Sequence, residues 1–108
     1  MKISQIQDAL GFAAVNLPEE DREISSVFCC DLLSLVMSRA PADCAWVTVM
    51  GNVNTAAVAL LADVSCIIVA ENCAVDEEML EKVKQKDIAV FKTEFPVFEA
   101  ALAVQNLL

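Results

Sequence analysis

AWVTVMGNVNTAAVALL, residues 45–61, changes its hydrophobic period halfway along. A short apolar, β-branched run reaches Gly51, and an Ala-rich pattern of helical spacing opens behind it. A buried strand entering a helix through a tight polar turn is half of a βα unit. In open α/β sheets, ligands sit beyond the carboxyl ends of such strands. Asn52, Asn54 and Thr55 are therefore the leading candidate ligand contacts. The same residue types also satisfy local backbone donors, with Asn54 expected to cap a helix that starts at Thr55. The two roles are compatible, because a capped helix start still offers N–H groups and positive dipole to an anion.

On both sides of this stretch the strand-then-helix order repeats. Upstream, Ile3 to Leu10 reads as a short helix with Ser4 as N-cap, Phe12 to Asn16 as a strand or edge extension, and Leu17 to Arg22 as a polar turn. Ile24 to Cys30 is a β-rich run, and Asp31 is placed to cap DLLSLVMSRA before Pro41 ends it. Val47 to Met50 reads as the next strand. Downstream, SCIIVA (65–70) lacks polar alternation after Cys66, as in a strand covered on both faces. DEEMLEKVKQK (76–86) is a helix with Met79, Leu80 and Val83 inward and Glu78 to Lys82 as an i,i+4 pair. Ile88 to Phe91 is a further strand. Thr93 is expected to cap the last helix, with Pro96 in its first turn. Strands near 27–30, 47–50, 66–69 and 88–91 thus predict a three-layer α/β domain, its mainly parallel sheet covered by helices on both faces.

Composition bounds the function. With 108 residues and 57% hydrophobic content, the chain makes one domain with its own core. No apolar run approaches the roughly 20 residues a bilayer span needs, and MKISQIQDALGF lacks the features of a signal peptide. A soluble, cytoplasmic protein is expected. Sixteen acidic against seven basic residues give a net charge of −9, which disfavours nucleic acid and membrane as partners. Part of that charge is local. Asp76, Glu77 and Glu78 open a helix that closes on Lys82, Lys84 and Lys86, matching the macrodipole.

Several chemistries are excluded by residue type. Gly11 and Gly51 are the only glycines, so neither a P-loop nor a Rossmann fingerprint can be written. With no His and no Tyr, a nucleophile such as Ser65 or Cys73 would need activation by a carboxylate, a lysine or a helix end. The five cysteines form no C-x-x-C pair, and without histidine a zinc site would rest on thiolates and carboxylates alone. Reduced core thiols, no metal and no cofactor are the expectation; Cys73, in a polar loop, is the best placed for a redox role.

DREISSVFCCDLLSLVM (21–37) and the half of the chain from Val64 resemble the DRTGG domain family, related to the N-terminal domain of HPr kinase/phosphorylase. The matching pieces are Asp21–Arg22, the DLLS opening at Asp31, the asparagine turn ending at Asn54, the strand Cys66 to Val69 before an acidic helix start, and the strand Ile88 to Phe91 ending at Thr93. The family's paired glycines are replaced around Ser25, Ser26 and Val27. The resemblance implies a noncatalytic accessory domain, since in the kinase relatives the P-loop lies in another domain. Stand-alone copies tend to accompany iron-only hydrogenase genes in anaerobes, which implies a metabolic or redox enzyme partner. Two functions follow as expectations. One is a regulatory interaction module, a homodimer with its interface on the last helix and the Thr55 to Ala62 helix. The other is a sensor of a small anionic or nucleotide-like ligand, bound by Asn52, Asn54, Thr55, Thr93 and Asp31. Asp21 and Arg22 form either a solvated turn or an interaction site.

Overall fold

The computed structural model describes all 108 residues. Ten elements follow in order, alternating strand and helix from the second strand onward: α1 (Ser4–Leu10), β1 (Ala13–Asn16), β2 (Ser26–Cys29), α2 (Leu33–Arg39), β3 (Cys44–Thr48), α3 (Val53–Ala62), β4 (Cys66–Val69), α4 (Glu77–Lys86), β5 (Ala89–Lys92) and α5 (Val97–Gln105). They build one five-stranded sheet in the order β1-β5-β4-β3-β2. Strands β2 to β5 run parallel, and β1 closes one edge antiparallel to β5, with a bulge between Ala14 and Asn16. The mainly parallel three-layer architecture is the one expected.

Strand pleating divides the core. Ala45, Val47, Cys66, Ile68, Ala89 and Phe91 face α1 and α5, whereas Trp46, Ile67, Val69 and Val90 face α2, α3 and α4. The three helices share one face because crossovers between parallel strands are right-handed and each one here steps the same way across the sheet. Strands β3 and β4 are wholly buried, which explains the apolar runs that lack alternation.

The helix ends differ from expectation at four places. Asn52, not Asn54, caps α3: its side chain accepts the amides of Asn54 and Thr55, and the helix begins at Val53. Asp31 caps nothing; Leu32 stands at the start of α2, and Asp31 reaches sideways to β3. Thr93 lies short of α5, whose N-cap is Pro96, and accepts the Phe95 amide instead. Ser4 lies inside α1, with Ile3 before it and no side-chain cap. Strand β3 also starts earlier, at Cys44, and ends at Thr48. The Glu78 and Lys82 side chains form no ion pair, since the four that exist lie among Met1, Lys2, Arg22, Glu23, Asp43 and Asp63. Helix α4 opens at the acidic run as expected, with Asp76 as its N-cap, and it buries Met79 and Val83, whereas Leu80, also expected inward, is half-buried. The positions replacing the family's glycine pair enter β2 without any positive φ.

Asp21 and Arg22 are fastenings at the amino ends of the parallel strands. The Ser4 amide and hydroxyl donate to the Asp21 carboxylate at 2.9 and 2.7 Å, so Asp21 satisfies the start of α1 from outside the helix. Arg22 bonds the Asp43 carboxylate at 2.6 Å, the Asp63 carboxylate at 3.2 Å and the Val64 carbonyl at 3.1 Å. It thereby ties together the turns leading into β3 and β4. Burial alone would lower the Arg22 pKa, but the bond to Asp43 and the charges of Asp63 and Asp43 raise it. Asp43 and Asp63 hold left-handed backbone, which short polar side chains tolerate in a chain with two glycines.

The Ser4 hydroxyl and amide hold the Asp21 carboxyl below its ordinary value of 3.8. A depressed carboxylate adds stability above its unfolded pKa, and that stability is lost as pH falls through the folded value. Asp21→Asn should therefore destabilise the domain near neutral pH, by less than about 1 kcal/mol for so exposed a pair, and lower the melting temperature accordingly. The gap from the wild type should begin to narrow as pH falls through 3.8 and close only below the depressed folded value. Thermal melts at both pH values check this.

Candidate functional site

The carboxyl ends of β2, β3, β4 and β5 lie on one side of the sheet, and four of the five sequence-derived ligand candidates sit toward β3 and β2. At β3 the turn is closed. The Asp76 amide donates to the Gly51 carbonyl at 2.8 Å, and a Cβ on Gly51 would fall against the Ala74 carbonyl oxygen, with Val75 Cα 3.0 Å away. The loop following β4 is thus laid directly over the entry to α3. Asn52 spends its side-chain oxygen on the Asn54 and Thr55 amides at 3.0 and 3.3 Å. Thr55 is fully buried, its hydroxyl sealed from solvent and without a hydrogen-bond partner. Asn54 remains exposed. Asp31 accepts the Thr48 hydroxyl at 2.7 Å and the Val49 amide at 3.0 Å, holding the end of β2 to that of β3.

Topology explains why no crevice opens there. Ligand crevices of open α/β sheets form where successive crossovers diverge to opposite faces. Between β2 and β5 they never diverge. Thr93 stands two strands away from the Asn52 turn, about 10 Å at ordinary strand spacing. The expected pocket uniting Asn52, Asn54, Thr55 and Thr93 is therefore absent as a unit.

Thr93 instead belongs to a cavity of about 420 Å³ where β5 ends beside the start of β1. The α1–β1 connection contributes Leu10 to Ala13, the end of β5 contributes Lys92 to Phe95, and the loop after β4 contributes Asn72. Phe12 and Phe95 meet edge to face, ring centres 5.5 Å apart, and give one apolar wall. Glu71 and Asn72 both hold left-handed backbone, at φ +61° and +55°. That conformation is pinned from the β5–α5 corner: the Glu71 amide donates to the Phe95 carbonyl, the Asn72 amide to the Thr93 carbonyl, and the Val97 amide to the Glu71 carboxylate. Lys92 is the only cation in the lining and forms no ion pair, although Glu94 is also present. This volume and mixture of walls fit a small ligand. Of these residues only Thr93 is among the ligand candidates read from the sequence. Lys92, the sole basic residue after Lys86, was the signal available.

All five thiols are unpaired. Burial pushes the Cys44 thiol up to about 11 and raises Cys66 further still. Cys29 is exposed, yet desolvation of its sulfur and the nearby Asp31 charge raise it as well. These three are therefore protonated, poorly nucleophilic thiols at neutral pH. Cys73 is half-buried between Asn72 and Ala74. No group of three or more cysteine and carboxylate side chains converges in a way that could hold a metal ion.

No family model matches the chain, and no curated protein matches it. Its fold is similar to a crystal structure of the CBS and DRTGG domains of the regulatory region of Clostridium perfringens pyrophosphatase, complexed with the activator diadenosine tetraphosphate. The TM-score is 0.78 at 19% sequence identity, over 94% of this chain and 45% of that one. The chain thus spans less than half of that region, and the likeness establishes the shared fold. It lends nothing to the hydrogenase association. No helix is long and apolar enough to cross a membrane.

Proposed function

We propose that this chain is a noncatalytic regulatory module of the DRTGG kind, which acts by protein contact and pairs with a second copy of itself. The observation that carries this reading is the extent of the structural likeness: 94% of the chain follows the fold of a regulatory region. The site chemistry agrees with it. The polar residues at the strand ends are spent on one another, as in the Asp31–Thr48 and Asn52–Thr55 bonds, rather than aimed together at a reacting atom. The partner class, a cytoplasmic metabolic or redox enzyme and in some settings a hydrogenase, rests on the sequence resemblance.

A second reading, a sensor for a small anionic metabolite, is favoured by the cavity at Lys92 and Thr93 rather than by the Asn52 turn. The neighbour was crystallised with a nucleotide activator, a molecule carrying both anionic and aromatic parts. One experiment bears on both readings. The protein is titrated calorimetrically with diadenosine tetraphosphate and with inorganic phosphate, then incubated with the nucleotide and assayed for its breakdown. The regulatory reading expects the nucleotide to survive intact, and breakdown that scales with protein concentration would overturn it. The sensor reading expects saturable heat that Lys92→Glu weakens at least about tenfold, as loss of a charge-assisted contact should. Heat unaffected by that substitution would remove this cavity from consideration.

A further inference from the structure

We infer that β2 is the pairing surface of the module, and that two copies join antiparallel along it about a two-fold axis to make one continuous ten-stranded sheet. The inference rests on the regulatory reading only for the premise that copies pair; its location comes from the sheet.

The two edges of the sheet are treated differently by the sequence. Strand β1 is blunted: it bulges between Ala14 and Asn16, the Asn16 side-chain Nδ2 donates to the Val83 and Ile88 carbonyls, and Pro18, Glu19, Glu20 and Asp21 follow. Bulges, prolines and charges are the usual guards of an edge. Strand β2, Ser-Val-Phe-Cys, has none of them. The Cys30 amide donates to the Val47 carbonyl of β3. By the alternation of a ladder, Ser26 and Phe28 face β3 as well, leaving the amides and carbonyls of Val27 and Cys29 directed outward. Such a row is self-complementary under a two-fold rotation, so a second copy of the same edge satisfies it.

Charge selects the same partner. A molecule of net charge −9 meets its own copy favourably only through a face poor in charge. Asp31 is the only charged residue between Ile24 and Ser38, and Glu99 the only one between Val97 and Leu108. These segments are β2, the helix that follows it, and the helix packed on β2 and β3. Both helices keep large apolar side chains exposed: Leu32 and Met37 next to and on α2, Phe98 and Leu102 on α5. The expected interface therefore keeps α5 as a flank and replaces the Thr55 to Ala62 helix, which sits mid-layer between α2 and α4, with the β2 edge.

Amide hydrogen exchange, followed residue by residue over a dilution series, tests this. The Val27 and Cys29 amides should exchange at least about tenfold more slowly in the concentrated, paired protein and quicken on dilution. Cys29→Lys places two like charges near the axis while lowering the net charge. It should weaken pairing if the edge is the interface, and strengthen it if general repulsion alone limits association. A dimer in which both amides exchange freely at every concentration, or in which Cys29→Lys pairs as tightly as wild type, overturns the location and leaves the regulatory reading intact. A chain that stays monomeric at every concentration overturns both.

Discussion

Gly51→Ala should destabilise the domain by about 3 kcal/mol, the upper range for forcing extra volume into packed structure, and lower its melting temperature by roughly 15 °C. The added methyl meets backbone, the Ala74 carbonyl and Val75 Cα, which cannot rotate aside as a side chain would. Either the turn or the loop must shift, and the bond from the Asp76 amide to the Gly51 carbonyl goes with it. That bond adjoins the Asp76 cap of α4, so the damage should extend to the start of that helix. Gly11→Ala provides the contrast. Gly11 ends α1 at φ +71° with nothing within 4 Å of the added Cβ, so only the left-handed backbone is penalised, by about 1 kcal/mol. Thermal melts of the two variants side by side check the pair. Equal losses would mean that the loop after β4 does not press on the α3 entry.

Trp46→Ala should cost about 3–5 kcal/mol, as expected for deleting a fully buried tryptophan. Trp46 is completely buried on the sheet face covered by α2, α3 and α4, and its indole N–H donates to the Cys30 carbonyl at 2.9 Å. Truncation leaves a cavity and strips that carbonyl of its partner, at the end of β2. Set against the 5–15 kcal/mol typical of a whole domain, such a loss leaves a substantial unfolded fraction at physiological temperature. Urea titration followed by circular dichroism measures it. Trp46→Phe keeps much of the volume and loses the hydrogen bond, and should cost about 2 kcal/mol.

The strands and helices were legible because burial on both faces leaves an unmistakable apolar run, as in Cys66 to Val69, and because Asp76 stands one residue ahead of an acidic helix start. The caps were harder. Asn52 and Asn54 are chemically alike and two residues apart, and only backbone conformation, extended at Asn52 and helical at Asn54, decides which of them caps. Asp31 and Thr93 look like caps from their own segments, but each is turned to a neighbouring group: the end of β3 for Asp31, the Phe95 amide for Thr93. The candidate residues are dispersed for a topological reason. An alternating pattern predicts that crossovers occur and says nothing about which way each one steps, and it is their common direction that closes the β3 end. The cavity at Lys92 and Thr93 draws on Phe12 and Asn72, distant in sequence and brought together by the antiparallel β1, whose partner no local pattern specified.

A regulatory module that works by pairing must be a dimer in solution, and its mass there is the most direct measure. Light scattering at micromolar concentration should give a particle near twice 11.7 kDa that dissociates on dilution. A stable 11.7 kDa species across the whole concentration range would contradict pairing.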